Sequence, residues 1–537
     1  MNQKLTHIDL FGDPRENFYI LGKRDKDAFE ELYNQLSMLC IKNNVLAESL
    51  KIAHEIMSKM DKKKRSSVNP NLKAYAEGMD KKYEDVMFTM LMPEIVASFN
   101  KWIPDLLSII PGCSSLFVWD NLTNGVIHSR ILDYAISGPF EKNERSILYE
   151  LPNSYKVLSY GSGGVPLASL SAMNEKGLTM ALHYKHSKFF NKNGESIFII
   201  TNEIISTCSN IKEVKKLLST KQSIGHWGIN FSDSNGDVLS IDIKGQDIHH
   251  EKFEARDHKY LYFNNRPILK NSKDEELQPF GNLNQCLMRK DYIRRNFDKI
   301  IKTTNKNKNL MPETIKLLTS PNFMKMKTAK NWLFKPTTPS SVQCCSFNSN
   351  SSCSSFILGS SPKFFSDKIV SYKDIFKNLV VSEKVTNRKE NFQVSAYKYL
   401  GEYQSALDKG DVSRAYHKIQ MAIELQKGYP EFYISKFYFI ITQYVYESDK
   451  RDYTYLYEEL ESLENKLPNY LEDQRLLFIM RLGKIIGHKV ENTSNLIDNS
   501  GLKKLFIREF SQSSITIKSL QKLIYPRIEI LDILYLY

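Results

Sequence analysis

The chain has 537 residues, enough for two to four domains with a sizeable core. Hydrophobic residues make up 42% and aromatic residues 12%, which excludes an intrinsically disordered chain. The net charge of +13 comes from 74 Lys and Arg against 61 Asp and Glu. The lysines are widely spread and no nucleic-acid-binding motif is found, so we interpret them as solvated helix ends and loops and expect no nucleic-acid partner.

Cysteine usage and the apolar runs predict the compartment. The seven cysteines are an odd number scattered over a long chain, which does not indicate a disulfide framework. No Cys or His set has zinc spacing, so we expect neither metal nor cofactor. The N-terminus lacks the apolar core of a signal peptide, and no apolar run is long enough to span a membrane. We therefore expect a cytoplasmic protein without an integral membrane segment.

The predicted elements change character along the chain. Apolar residues at helical intervals predict helices over 26–65 and near 80–105. From Cys113 onward, short β-branched and aromatic runs separated by turn signals predict largely antiparallel strands. Helical stretches near 197–218 and 283–302 interrupt them, which favours layered α and β structure. The predicted strands are CSSLFVWD, VIHSRILDY, YKVLSY, TMALHYK, GINFSDS, DVLSIDIKG, YLYFNN, SVQCCSFN and SSFILGSSP.

Beyond about residue 385 the strand signals fade and the sequence predicts paired helices. One unit resembles a tetratricopeptide repeat, with a turn glycine, small residues at a helix crossing and a terminal proline: Gly410, Asp411, Ala415, Ala422 and Pro430. The interval before the proline is longer than that consensus, and a lone unit cannot bury its face. A plain helical domain therefore remains an equally open interpretation.

The stretch IIPGCSSLFVWDNLTNGVIHSRILDY places a thiol directly after a Pro-Gly pair. A thiol is a strong nucleophile when a neighbouring base takes its proton. Cleavage of the Gly112–Cys113 bond would give Cys113 an α-amine, whose ordinary pKa is about 7.7–8.0, so nucleophile and base would belong to one residue. If the two predicted strands pair across the turn, Arg130 and Asp133 return to the Cys113 end. There Arg130 would favour the thiolate and Asp133 would hold the amine.

This pattern of Cys, turn and His-x-Arg-x-x-Asp resembles the N-terminal-nucleophile (Ntn) amide hydrolases, which include the choloylglycine hydrolases and acid ceramidases. The group it resembles most is the acyl-coenzyme A:6-aminopenicillanate (isopenicillin N) acyltransferase-like family. FGDPRENFYILGKR, SAMNEKGLTMALHYK and SVQCCSFNSNSSCSSFILGSSP resemble further landmarks of that family, whose late strand is often opened by Thr-x-x-Ser. The resemblance covers most of residues 8–365 and excludes the C-terminal helices.

The resemblance implies an α+β fold, the αββα four-layer sandwich of the Ntn hydrolases. The helical pattern beyond about residue 385 adds an all-α C-terminal domain to it. It implies a helical pro-region over 1–112 that is cut off but retained, and a catalytic core over 113–384. The helical domain then spans 385–537. The implied activity is that of a cysteine hydrolase or acyltransferase acting on a linear non-peptide amide or an acyl thioester, without a cofactor. The expected partners are a small-molecule substrate and, through the C-terminal helices, a protein.

Position by position, the resemblance implies that Gly112 and Cys113 flank the autocleavage site. Cys113 would then be the nucleophile, steadied by Arg130 and Asp133. The structural alternatives are that Cys113 is a buried thiol without a catalytic role, and that Arg130 and Asp133 form a surface ion pair worth about 0–1 kcal/mol.

Three further residues are assigned by the same resemblance. Asn265 in YFNNRP aligns with the Asn that donates to the oxyanion. His183 falls closest to a second oxyanion contact, after a shift of one residue. Arg289 aligns with an Arg of the family's helix, and Arg294 and Arg295 are its rivals.

Two other interpretations remain. A non-catalytic scaffold of the same fold, with C-terminal helices that bind a protein, is the main alternative. A papain-like protease fits poorly, because none of the 11 histidines lies in a distinctive context. The glycine-rich stretch 161–166 lacks the Lys-Ser/Thr of a phosphate-binding loop, so we expect a turn beside the active-site cleft.

Overall fold

The computed structural model describes residues 6–41, 69–99, 112–134, 138–187, 189–191, 193–269, 280–301, 310–319, 336–364, 368–385, 392–446, 453–512, 521 and 524–535. Its strands are β1 (Thr6–Phe11), β2 (Gly112–Asp120), β3 (Gly125–Asp133), β4 (Glu144–Glu150), β5 (Val157–Ser162), β6 (Ser171–Asn174), β7 (Thr179–Tyr184), β8 (His226–Ser232), β9 (Asp237–Lys244), β10 (Asp247–Glu254), β11 (Leu261–Phe263), β12 (Ser341–Asn348), β13 (Cys353–Leu358), β14 (Lys368–Lys373), β15 (Val380–Val385), β16 (Ile524–Arg527) and β17 (Asp532–Tyr535). Its α-helices are α1 (Pro14–Ile41), α2 (Pro70–Gly78), α3 (Tyr83–Phe99), α4 (Pro139–Lys142), α5 (Ile197–Thr207), α6 (Ile211–Leu218), α7 (Phe280–Ile301), α8 (Met311–Thr319), α9 (Phe392–Lys409), α10 (Val412–Leu425), α11 (Glu431–Tyr446), α12 (Tyr453–Glu461), α13 (Asn469–Ile486) and α14 (Ser500–Phe510).

Two large sheets contain most of the strands. The eight-stranded sheet has the order β1-β4-β5-β6-β7-β8-β9-β10, and the seven-stranded sheet has the order β11-β2-β3-β12-β13-β14-β15. Every neighbouring pair in the two sheets is antiparallel except β1 with β4, which is parallel. The first strand of the chain therefore forms an edge of a sheet whose other strands follow residue 143.

The two sheets pack face to face, and helices cover their outer faces. Alternation along β5 shows this: Leu158 and Tyr160 contact Phe347 and Phe356 of the other sheet, whereas Val157 faces the helices α1, α2 and α5. Helices α7 and α8 pack on the outer face of the seven-stranded sheet. The layers thus run helix, sheet, sheet, helix, and the predicted mixed α+β architecture is confirmed.

The nine predicted strands all form, but their number was underestimated. In the two large sheets β1, β4, β6, β10, β14 and β15 were not predicted, and neither were β16 and β17 of the C-terminal part. β10 shows why: six of its eight side chains are polar or charged and only Ile248 and Phe253 are apolar, so it lacks the alternation of a half-buried strand.

The predicted helix limits need correction. α1 begins at Pro14 rather than at 26, because Asp13 caps it and its carboxylate accepts from the Glu16 N–H at 2.8 Å. α2 was missed, although Asn69 followed by Pro70 is a start signal of the same kind. The stretch 197–218 is two helices, α5 and α6, because Asn210 caps a second start. The predicted segments 42–65, 100–105 and 302 lie outside the described residues.

The C-terminal part has its own apolar core, built by α9 to α14. It is not purely helical, because β16 and β17 form a two-stranded hairpin within it, which corrects the all-α expectation. Gly410 makes the turn between α9 and α10 at a φ of +78°. The tetratricopeptide-like interpretation stays a prediction. Among the helices of the described ranges, none is both long and apolar enough to cross a membrane.

Candidate active site

Cys113 is the second residue of β2, a strand inside the seven-stranded sheet. Its thiol is 1% exposed, yet it lines a pocket. The backbone N–H donates to Asn265 Oδ1 at 2.9 Å, and Sγ lies 3.6 Å from both the Leu182 carbonyl and Arg130 Nη2. Burial raises the pKa of the Cys113 thiol, and Arg130 opposes that rise. The nitrogen and the sulfur of one residue thus each have a polar partner.

Arg130 lies on β3, opposite Ser115 of β2. Its guanidinium donates to the Leu170 carbonyl at 2.5 Å, to Ser171 Oγ, and to the Leu182 carbonyl at 2.5 Å. These partners belong to the eight-stranded sheet or its connections, so Arg130 bridges the two sheets. The hairpin of β2 and β3 brings Arg130 to the thiol, which is the arrangement that the sequence predicts.

Asp133 lies opposite Gly112, the residue that precedes Cys113. Ser341 Oγ donates to Asp133 Oδ1, and Arg289 Nη1 lies 3.1 Å from Oδ2. A Cβ on Gly112 would lie 2.7 Å from Asp133 Oδ2, so this close approach requires glycine. Burial raises the pKa of Asp133, whereas Arg289, Ser341, Thr338 and Arg130 oppose that rise.

Asn265 and Arg289 join this cluster. Asn265 Oδ1 accepts from the Cys113 N–H and, at 3.3 Å, from Arg289 Nη2. Because both partners can only donate, the orientation of the carboxamide is fixed, and its Nδ2 donates to the Tyr184 carbonyl at 3.1 Å. The oxygen of Asn265, not its NH₂, thus faces the Cys113 nitrogen, and the expected oxyanion donation stays a prediction.

The two rivals of Arg289 lie elsewhere. Arg294 and Arg295 are largely exposed and pair with Asp291, whereas Arg289 is fully buried. Asn264 holds the turn after β11, since its Nδ2 donates to the Cys286 carbonyl at 2.8 Å.

His183 lies on β7, one residue after Leu182, whose carbonyl contacts Cys113 Sγ. Its Nε2 lies 2.8 Å from Ser115 Oγ, which in turn lies 3.2 Å from His128 Nε2. Burial is the main cause that lowers the pKa of both histidines well below the ordinary value. His183 is thus part of a buried, neutral polar chain between the sheets. Its expected oxyanion contact stays a prediction.

Sequence reasoning missed Ser341, the second partner of Asp133. Its Oγ also accepts from the Thr338 N–H at 2.8 Å. Thr338 and Ser341 are the Thr-x-x-Ser that opens the late strand in the resembling family, so the signal that locates Ser341 was present in the sequence.

The pocket beside Cys113 encloses about 670 Å³, counting the part open to solvent. Gly164 and Val165 of the glycine-rich turn line it, as expected for a turn beside the cleft. Its other lining residues are mostly apolar: Leu32, Thr89, Met90, Cys113, Arg130, Leu132, Tyr134, Phe140, Leu170, Leu182, Tyr184, Phe198 and Trp227. In the described part of the chain, no group of three or more His, Cys, Asp or Glu side chains could hold a metal ion.

Two of three comparisons relate the chain to known proteins. One similar solved structure is penicillin V acylase from Agrobacterium tumefaciens, with 13% identity over 50% of this chain and 85% of that chain and a TM-score of 0.28. A second is a Caenorhabditis elegans N-acylethanolamine-hydrolyzing acid amidase ortholog, with 11% identity over 49% of this chain and 99% of that chain and a TM-score of 0.30. A third is a variant of conjugated bile acid hydrolase from Clostridium perfringens, with 12% identity over 52% of this chain and 94% of that chain and a TM-score of 0.26. TM-scores this low are not by themselves evidence of a shared fold. No curated protein matches the chain.

The family model described as AAT: Acyl-coenzyme A:6-aminopenicillanic acid acyl-transferase matches residues 132–275. This range contains Asp133, His183 and Asn265 and begins after Cys113 and Arg130. The match confirms the resemblance to the acyl-coenzyme A:6-aminopenicillanic acid acyl-transferase family that the sequence indicates.

Proposed function

We propose that this chain is a self-cleaving N-terminal-cysteine hydrolase or acyltransferase of the Ntn type. The observation that carries the proposal is the pair of contacts on Cys113: Asn265 Oδ1 lies 2.9 Å from its nitrogen and Arg130 Nη2 lies 3.6 Å from its sulfur. An N-terminal nucleophile needs both atoms held, because the nitrogen becomes the base and the sulfur attacks. In this proposal residues 1–112 are the pro-region, 113–384 the catalytic core and 385–537 the added domain.

Self-cleavage begins with attack of Cys113 Sγ on the Gly112 carbonyl carbon. The C–N bond breaks, the thiol proton passes to the leaving nitrogen, and Gly112 remains as a thioester on Sγ. Water then cleaves the thioester, which yields a Gly112 carboxylate and restores the thiol. Asp133 pairs with Gly112 across the hairpin, so its carboxylate lies beside this bond.

In turnover, the freed α-amine of Cys113 takes the thiol proton as Sγ attacks the substrate carbonyl. The amine returns that proton to the leaving nitrogen of an amide, or to the leaving sulfur of a thioester, and an acyl group remains on Sγ. Water, or an acceptor amine, then releases the acyl group. Asn265 Oδ1 would hold the amine, and Arg130 would favour the thiolate.

The pocket favours an apolar acyl group. Leu132, Leu170, Leu182, Phe198 and Trp227 line it next to Cys113, and a chain of methylenes would be transferred from water to these walls. We therefore expect activity on linear amides or thioesters of apolar acids, and little on those of charged acids.

The first experiment is mass spectrometry of the purified full-length chain. We expect a fragment that begins at Cys113, labelling of that fragment by an acyl-thiol probe, and loss of both in Cys113→Ala. Gly112→Ala should slow processing at least tenfold, because its methyl would press on Asp133 Oδ2. Gly161→Ala is the matched control, since no described atom lies within 4 Å of its added Cβ.

An intact wild-type chain that no probe labels would contradict this function. It would support the alternative, a non-catalytic scaffold of the same fold.

A further inference from the structure

Two groups from outside the β2–β3 hairpin hold the Asp133 carboxylate. Ser341 donates to one oxygen and Arg289 to the other. Ser341 ends the turn 337–341, where the Tyr134 N–H donates to the Ser340 carbonyl at 3.0 Å. Arg289 lies on α7. The place of Asp133 beside Gly112 therefore depends on this turn and on this helix.

The C-terminal part contacts the turn directly through α9. A Cβ on Gly401 would lie 2.7 Å from the Pro339 carbonyl oxygen and 3.3 Å from Pro362 Cδ. The helix backbone thus touches the turn without an intervening side chain. Close by, Phe364 lies in the C-terminal core, where its ring centroid is 5.8 Å from that of Tyr397.

The same part of the chain also contacts α7. Gln285 Nε2 donates at 2.6 Å to the carbonyl of Glu529, which lies between β16 and β17. Met288, the neighbour of Arg289, packs against the C-terminal core. Gln285 lies about one helical turn before Arg289, so the hydrogen bond from Gln285 to Glu529 holds the part of α7 that carries Arg289.

Buried polar contacts join the β16–β17 hairpin to helix α9. Gln404 Oε1 accepts from the Ile528 N–H at 3.0 Å, and Asp408 Oδ1 accepts from Arg527 Nη1 at 2.5 Å. Asp408 and Arg527 are 3% and 1% exposed, which makes this pair costly to break. Since the two elements are tied together, they contact the turn and α7 as one unit.

We propose that the C-terminal part acts as a positioning element for the site around Cys113. The contacts of Gly401 with Pro339 and of Gln285 with Glu529 hold Ser341 and Arg289, and these two set the Asp133 carboxylate beside the Gly112–Cys113 bond. Gly401 and Gln285 are positioning residues, because they act through other side chains. The inference deepens the proposed function and rests on it wherever processing is measured.

The test compares full-length Gly401→Ala and Gln285→Leu with matched controls on the same helices. Glu402→Ala removes a side chain that pairs on the surface with Lys418, and Leu287→Ala removes one that is 42% exposed. The rate of appearance of the Cys113 fragment is measured between pH 5 and 9, and hydrogen exchange is measured at the Tyr134 amide. We expect processing to slow about tenfold or more in both positioning variants and in neither control.

The pH profile separates positioning from a general loss of structure. Asp133 faces Arg289, Arg130, Ser341, Thr338 and the Cys113 thiol. Tyr262, Cys344 and Tyr397 also lie within its electrostatic reach. Weaker contacts from Arg289 and Ser341 raise the pKa of Asp133, so the acid limb of the profile should move to higher pH in the positioning variants. A uniform loss at every pH would overturn the inference.

Further outcomes are equally decisive. Processing at the wild-type rate in both positioning variants overturns the inference. If the wild type itself is never processed, the proposed function fails. Hydrogen exchange alone then tests the positioning role of the C-terminal part. Faster exchange of the Tyr134 amide in Gly401→Ala then supports the positioning role, and unchanged exchange refutes it.

Discussion

At the residue scale, each polar group of the site forms a hydrogen bond with a specific atom of a neighbouring residue. Asn265 is the clearest case, because its oxygen accepts from both the Cys113 nitrogen and Arg289. A group in this position can hold an α-amine, while one hydrogen of its NH₂ donates to the Tyr184 carbonyl. This arrangement suits Asn265 to orient the base.

This distinction gives a prediction for two substitutions of Asn265. Asn265→Asp keeps an acceptor for both donors, so we expect it to retain more processing and thiol acylation than Asn265→Leu, by about tenfold. Leu leaves the Cys113 nitrogen and the buried Arg289 without this acceptor, which is costly. Rates of fragment formation and probe labelling measure the difference. If Asn265 served as the oxyanion donor, Asp would be at least as damaging as Leu.

At the scale of elements, a buried ion pair attaches the N-terminal helices to the sheet. Arg145 on β4 forms a two-bond contact with Asp25 on α1, with Nη2 and Oδ2 2.6 Å apart. Tyr75 of α2 donates to the same carboxylate at 2.6 Å. Three elements meet at one carboxylate, and two of them precede the proposed cleavage site.

We predict that Asp25→Asn destabilises the chain by about 3–5 kcal/mol, because the buried Arg145 guanidinium loses its counter-charge. Lys26→Ala is the control, since Lys26 is next in sequence and pairs with Asp80 on the surface. Urea unfolding of both variants in a Cys113→Ala background, which prevents cleavage, measures the difference. Equal stability of the two variants would show that the buried pair is not needed to attach α1.

At the scale of the whole molecule, Glu94 links α3 to the wall of the pocket. Its Oε1 accepts from the Ile197 N–H at 3.1 Å and from Trp227 Nε1 at 3.2 Å. Burial raises the pKa of Glu94 to about 8. The folded chain therefore keeps this proton at pH values where the unfolded chain has released it.

The sign of the pH effect follows from this difference. Glu94 binds its proton more tightly when folded, so its stabilising contribution is complete below pH 4.5, the ordinary pKa, and is lost as the pH rises towards 8. Glu94→Gln should therefore gain stability relative to the parent between pH 5 and pH 8, by a few kcal/mol at about 1.4 kcal/mol per pKa unit. Denaturant unfolding at both pH values, again in a Cys113→Ala background, measures the gain. The exposed Glu251→Gln should show none; an equal gain there would refute the prediction.

The local pattern of the sequence determined the strands around the site. Alternating apolar residues and the NLTNG turn predict the hairpin of β2 and β3, and the antiparallel register then brings Arg130 and Asp133 back to the Cys113 end. Local end signals also locate helices, since Asp13 and Asn69 mark the starts of α1 and α2. These features could be predicted because each depends on residues close in the chain.

Contacts between distant segments were decided only by the tertiary structure. The orientation of the Asn265 carboxamide depends on Cys113 and Arg289, and the engagement of His183 with Ser115 depends on how the two sheets stack. The contacts of Gly401 with Pro339 and of Gln285 with Glu529 join segments far apart in the chain. Sequence periodicity gives the face on which a side chain lies, but not the group it meets across a packed interface, because that partner is set by the packing of the whole chain.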